Sequence, residues 1–138
     1  MIKNGIAPEA WAGLAPPVAP HVLVVDDKES FARRLAREFK GAGFEAAAVF
    51  DGSEALATLG HRRPDLVVLD AGMRDGIECL RRLHARCAPE APPVLLLTGD
   101  ANPRVDAAAL VYPGSSVLRR PRDYAAVVRA AERLLAMA

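Results

Sequence analysis

The sequence predicts a three-layer α/β domain built around a parallel sheet, and three observations carry that reading. Runs of Val and Leu recur along the chain as HVLVVDD, DLVVLD, PPVLLLT and SSVLRRP. They lack the polar alternation of a strand with one wet face, so they read as strands buried on both faces, the habit of parallel sheets covered by helices. From His21 onward strand and helix signals alternate five times, which calls for right-handed crossovers and a helical layer on each side. A length of 138 residues with 51% hydrophobic composition supports one core and little more.

Residues 1–20 precede the first strand. Rich in Ala and Pro and without a sustained period, they read as a flexible arm; the alternative is that Ile6, Trp11 and Leu14 dock as an apolar strip on the domain or a neighbour. The domain proper is assigned to residues 21–138. Its first strand ends at Asp26 and Asp27. The first helix, near Glu29 to Lys40, places Phe31, Leu35 and Phe39 at i, i+4 and i+8 toward the sheet, and Gly41 and Gly43 end it.

Asp51 followed by Glu54 is a capping pattern that opens a second helix through Ala55, Leu56 and Leu59, closed by Gly60. DLVVLD is the next strand and stops on Asp70. A third helix turns Ile77, Leu80 and Leu83 inward and Arg81, Arg82 and Arg86 outward. PPVLLLT then ends on Thr98. Asn102 with Pro103 marks an N-cap and first helical residue, starting a fourth helix that runs to about Val111. Tyr112, Tyr124, Leu110 and Val111 offer a partner surface as one reading, but at helical spacing most of them read as core. Pro113 and Gly114 turn the chain into SSVLRRP, and Asp123 caps a last helix carrying Tyr124, Val127, Val128, Ala131 and Leu135.

Composition excludes several classes. A formal charge of +1 gives no basic field for gripping nucleic acid, and arginine pairs such as Arg33–Arg34 read as solvated helix faces. No apolar stretch reaches the roughly 18–20 residues a membrane span requires, and the prolines of the arm break any signal-peptide centre. Cys79 and Cys87 fall eight positions apart in one helix, about 12 Å along its axis, too far to bridge. Reduced thiols fit a cytoplasmic protein. His21, His61 and His84 have no metal spacing with each other or with the cysteines.

In a parallel sheet the carboxyl ends of the strands share one edge, where open α/β sheets bind ligands. That edge gathers Asp26, Asp27, Asp70, Thr98 and Arg120. Carboxylates held that close repel one another, and one takes up a proton unless a cation neutralises them. A hard divalent ion suits such oxygen ligands, and Mg²⁺ typically takes one or two carboxylates, waters and a phosphate oxygen. Asp70 would then keep its charge and attack phosphorus, Thr98 would hydrogen-bond one phosphoryl oxygen, and Arg120 would ion-pair with another.

VVDD at Val24 to Asp27, DGSEAL at Asp51 to Leu56, DLVVLD at Asp65 to Asp70, LLLTGD at Leu95 to Asp100 and RRP at Arg119 to Pro121 together resemble the receiver domain of two-component response regulators. The resemblance covers about His21 to Ala138. It implies a flavodoxin-like fold with strand order 2-1-3-4-5, Mg²⁺ held by Asp26, Asp27, Asp70 and the Gly72 carbonyl, and a phosphoryl group accepted on Asp70 from a histidine kinase or phosphotransfer protein. It further implies a switch, not an enzyme with a separate substrate, that signals to a downstream protein target through the fourth helix, fifth strand and fifth helix. Neither nucleic acid nor membrane is expected as partner, and a homodimer stays open.

Three departures from the family pattern stand out. Arg120 replaces the usual lysine, exchanging a compact ammonium for a planar fork. Val117 replaces the usual aromatic and has too few rotamers to swing as one. The loop DAGMRDG is two residues shorter than usual and lacks the proline after methionine. These point to a different coupling of the signal and a short-lived phosphoryl group. They also keep alive a phosphorylation-independent interaction module with the same fold. A phosphohydrolase would want an acid two residues after the nucleophile, where Gly72 stands, and the acids would repel a flavin phosphate.

Overall fold

The computed structural model describes residues 19–88, 90–99, 102–119, 121 and 123–137. The apolar strip expected at Ile6, Trp11 and Leu14 lies outside these residues, as does Arg120. Elements follow in the order β1 (His21–Val25), α1 (Glu29–Gly41), β2 (Glu45–Val49), α2 (Gly52–Leu59), β3 (Leu66–Asp70), α3 (Gly76–Cys87), β4 (Val94–Thr98), α4 (Pro103–Val111), β5 (Ser115–Arg119) and α5 (Tyr124–Ala136). The five strands are all parallel and run in the order β2-β1-β3-β4-β5. This is the flavodoxin-like arrangement expected from the sequence.

Alternation along the strands divides the interior in two. Leu23, Val25, Val67, Leu69 and Leu96 point to one face and pack with Ala55, Leu56, Leu80, Leu83, Val105 and Ala108, so α2, α3 and α4 cover it. Val22, Val24, Leu66, Val68, Leu95 and Leu97 point to the other and meet Leu35, Phe39, Val127 and Ala131 of α1 and α5. Successive strand residues face opposite ways, so three central strands buried on both sides have no place for a polar residue until they leave the core. The chemistry is thereby confined to the strand ends.

The caps read from the sequence form. Asp51 accepts from the Glu54 N–H, Asn102 from the Arg104 N–H with Pro103 at the helix start, and Asp123 from the Ala126 N–H. At the end of α1 the cap is Ala42. Gly41 is the last helical residue, and Gly43 supplies the left-handed turn at φ 96°. Phe39 then meets Phe44 edge-to-face at 5.2 Å between ring centroids.

Two sequence expectations need correction. β5 is a half-exposed edge strand: α4 covers Val117 on one face and α5 covers Leu118 on the other, but among the described residues no further strand pairs with its outer side. Leu110 and Val111 are not core but 89% and 68% exposed. α4 is apolar at every position past Asp106, and it turns Val105 and Ala108 toward the sheet, leaving those two on the outside. Tyr112 does pack, half-buried, against His84 of α3.

Candidate functional site

Asp26 and Asp27 follow directly on β1, and Asp70 is the last residue of β3, the neighbouring strand. The register pairs Val25 with Leu69, so the residue after each strand core arrives at the same level. One carboxylate oxygen from each of Asp26, Asp27 and Asp70 lies within 4.8 Å of the others. Asp26 is buried, Asp70 half-buried and Asp27 exposed, so the cluster opens to solvent on one side.

Each inner acid is held by its own backbone. Asp26 donates its N–H to the Val49 carbonyl at 3.1 Å, and its Oδ1 accepts the Lys28 N–H at 2.9 Å. Asp70 Oδ1 accepts the Gly72 N–H at 2.9 Å. Burial pushes the Asp26 carboxyl up to about 6; the Lys28 N–H opposes this, and the charges of Asp70 and Asp27 add to it. A carboxylate that resists ionising beside two others marks negative charge in want of a counter-ion. Three hard oxygen donors within reach of one point suit Mg²⁺, and the residues therefore fit the ion the sequence chemistry called for.

The short loop after Asp70 is compact. The Ala71 N–H donates to the Leu97 carbonyl at 2.8 Å, the Met73 N–H to the Asp70 carbonyl at 3.2 Å, and the Gly76 N–H to the Met73 carbonyl at 3.0 Å. Met73 is buried in the core beneath. Gly76 is the tightest point, where a Cβ would stand 2.6 Å from the Asp70 carbonyl oxygen. Asp75, at the end of this loop, is not part of the acid cluster. Its Oδ2 lies where a Cβ on Gly52 would meet it at 2.7 Å, at the start of α2.

Thr98 ends β4 beside β3 and is buried. Together with Asp26, Lys28, Phe31, Asp70 and Pro121 it lines an open cleft of about 250 Å³. Arg120 lies outside the described residues. Its neighbour Arg119 pairs with Asp106 of α4, so that arginine is turned to the helix layer. The sequence reading missed Lys28, just ahead of the helix, and Phe31, which it had given to the sheet-facing stripe; Phe31 lines the cleft and meets the Tyr124 ring at 5.5 Å between centroids. Its position in the first turn of α1, two residues after Glu29, was the available signal.

Other reactive side chains stand apart from the site. His21 opens β1 at the far end of the sheet, its side chain buried and its backbone N–H donated to Asp65 Oδ2 at 2.7 Å. Cys79 is buried in α3, and burial raises its thiol to about 11, with the Asp75 charge adding to the effect. Both cysteines are free thiols. Among the described residues no helix is long and apolar enough to cross a membrane.

Comparison with known proteins agrees with this architecture. The DNA-binding response regulator MtrA of Mycolicibacterium smegmatis is 37% identical over 116 residues, covering 79% of this chain and 49% of that protein. The phosphate regulon transcriptional regulatory protein PhoB of Rhizobium meliloti is 37% identical over 90 residues, 62% of this chain and 40% of that protein. The chain thus spans about half the length of the curated relatives it matches, or less. Among solved structures, a response regulator receiver protein from Burkholderia phymatum aligns with a TM-score of 0.70 and 34% identity, over 86% of this chain and 97% of that one. The chemotaxis protein CheY4 of Vibrio cholerae shares the fold with a TM-score of 0.76 at 24% identity, over 84% and 98%. The sequence matches the family described as the response regulator receiver domain over residues 22–132, and the chain belongs to that family.

Proposed function

We propose that this receiver domain is a phosphorylation-dependent switch in which Asp70 accepts a phosphoryl group from a phosphohistidine on a histidine kinase or phosphotransfer protein. The observation that carries the reading is the convergence of the Asp26, Asp27 and Asp70 carboxylates within 4.8 Å at the mouth of a cleft. Asp26, Asp27, Asp70 and the Gly72 carbonyl would hold Mg²⁺, which when bound supplies positive charge for the transferring phosphoryl oxygens.

Asp70 Oδ attacks phosphorus as the donor's P–N bond breaks and the donor nitrogen keeps the electron pair, leaving an aspartyl phosphate. The Gly72 N–H on Asp70 Oδ1 fixes the carboxylate at the end of β3 for the attack. Thr98 and Arg120 would contact the new phosphoryl oxygens from the β4 and β5 ends. Gly72 is exposed and adds no side chain over Asp70, which leaves water access and favours a short-lived adduct. No separate substrate is turned over, so the protein works as a switch, and its output is binding to another protein. Free thiols on α3 suit a cytoplasmic setting.

A second reading, an interaction module that ignores phosphate, draws on Val117, a β-branched residue packed half-buried against the core on the α4 side. One experiment separates the two. The purified chain is incubated with Mg²⁺ and a small-molecule phosphodonor and weighed intact beside Asp70→Asn. The switch takes up one phosphoryl group per molecule and the variant none; an unmodified wild type favours the module.

A further inference from the structure

We propose that the outer edge of β2 is a docking site for an acidic, extended segment of a partner protein, which adds to the sheet as a sixth strand. The site is separate from the acid cluster and does not depend on its chemistry. β2 is an edge strand with the sequence Glu-Ala-Ala-Ala-Val. The Glu45 N–H donates to the Pro20 carbonyl and the Val49 carbonyl accepts from the Asp26 N–H, so both residues turn their backbone groups toward β1. Strand backbones alternate with period two, and Ala47 therefore faces β1 as well. Ala46 and Ala48 present their N–H and C=O groups outward, an open row ready to pair with another chain.

The one charge on this edge, Glu45 at the start of the strand, is neutralised by Arg62 at 2.6 Å, and the rest of the strand bars nothing. Three consecutive alanines, each half-exposed, offer neither a protective charge on the strand nor bulk, and the edge contains no proline. What flanks the edge is positive. Arg33, Arg37 and Lys40 of α1 line a groove of about 220 Å³ together with these alanines. Arg33 is engaged with Glu29 and with the Phe50 ring. Arg37 and Lys40 are exposed and make no ion pair among the described residues.

The spacing of these cations matches a strand that carries alternate acids. Arg37 and Lys40, the two cations without an ion pair among the described residues, are three residues apart, about 4.5 Å along the helix, and their long flexible side chains span the about 7 Å between side chains two residues apart on one face of a strand. A second copy of this chain is a poor occupant, because two β2 edges brought together would also bring two sets of three cations together. Nucleic acid has no backbone to match the open N–H and C=O row. An acidic peptide strand satisfies both the row and the charges, with the backbone giving affinity and the carboxylates giving choice.

The test uses the full chain and a short fluorescent peptide alternating Glu and Val, followed by anisotropy at low and high salt. Binding is expected, weakened at least about tenfold by Arg37→Glu with Lys40→Glu and further weakened by salt. The same peptide N-methylated at alternate residues should lose binding on the wild type, and amide exchange at Ala46 and Ala48 should slow when the unmodified peptide binds. Thermal unfolding of the doubly substituted chain keeps loss of fold apart from loss of the site. Equal binding of a Lys-Val peptide, no binding of the Glu-Val peptide, preference for an oligonucleotide, or concentration-dependent pairing of the chain through β2 would each overturn the proposal.

Discussion

Replacing Asp26 by Asn should make the metal-free protein more stable, and the size of the effect follows from where that carboxyl sits. Asp26 is 5% exposed, and its pKa stands at about 6 against an ordinary 3.8. A raised carboxyl pKa means that the folded state holds the proton more tightly than the unfolded chain. The fold therefore carries no penalty below about pH 3.8, loses stability as pH rises toward 6, and carries the whole cost above that. The displacement corresponds to about 3 kcal/mol at most.

Asparagine keeps an oxygen for the Lys28 N–H and adds a donor facing Asp27 and Asp70, so most of that cost should be recovered, about 2 kcal/mol at pH 8. In a domain of this size the thermal midpoint should rise by roughly 5–10 °C. Urea unfolding of wild type and Asp26→Asn in chelator at pH 8 and pH 4.5 measures it. The gain should shrink at the lower pH. A variant less stable than wild type at pH 8, or a gain equal at both values, would refute the assignment of burial and carboxylate repulsion as the cause.

Gly76→Ala forces a Cβ to within 2.6 Å of the Asp70 carbonyl oxygen and should cost about 1–3 kcal/mol in denaturant unfolding. Gly41→Ala, where a Cβ meets nothing within 4 Å, should instead gain about 0.5–1 kcal/mol in the same assay. Asp51→Ala removes the oxygen that accepts the Glu54 N–H at 2.7 Å and should destabilise by about 1 kcal/mol in that assay. Cys79, buried with its thiol raised to about 11, should resist alkylation at pH 8 until the chain unfolds, whereas half-exposed Cys87 reacts first; peptide mapping after a timed pulse distinguishes them.

The fold was legible because its signals are local. Central strands buried on both faces leave continuous apolar runs, and the helix caps at Asp51, Asn102 and Asp123 are written in one or two residues. The acid cluster was legible as well, since three acids at strand ends follow from topology once neighbouring strands are assigned. What escaped was side-chain direction. Phe31 satisfies the α1 stripe, yet its place in the first turn swings it over the cleft. Asp75 lies only five residues after Asp70 in the chain, yet the tight loop turns it toward Gly52. Leu110 and Val111 misled because α4 past Asp106 is a run of apolar residues, Ala107 to Val111, with no period to say which face is buried.

The claim on which the rest depends is that Asp26, Asp27 and Asp70 together form a divalent cation site, and calorimetric titration of the chain with Mg²⁺ tests it most directly. One ion should bind per molecule at pH 8, with affinity falling as pH drops through about 6, where Asp26 takes up its proton, and weakening at least about tenfold in Asp26→Asn and in Asp70→Asn. Mg²⁺ binding that is absent at pH 8, or that persists unchanged in both variants, would contradict the account.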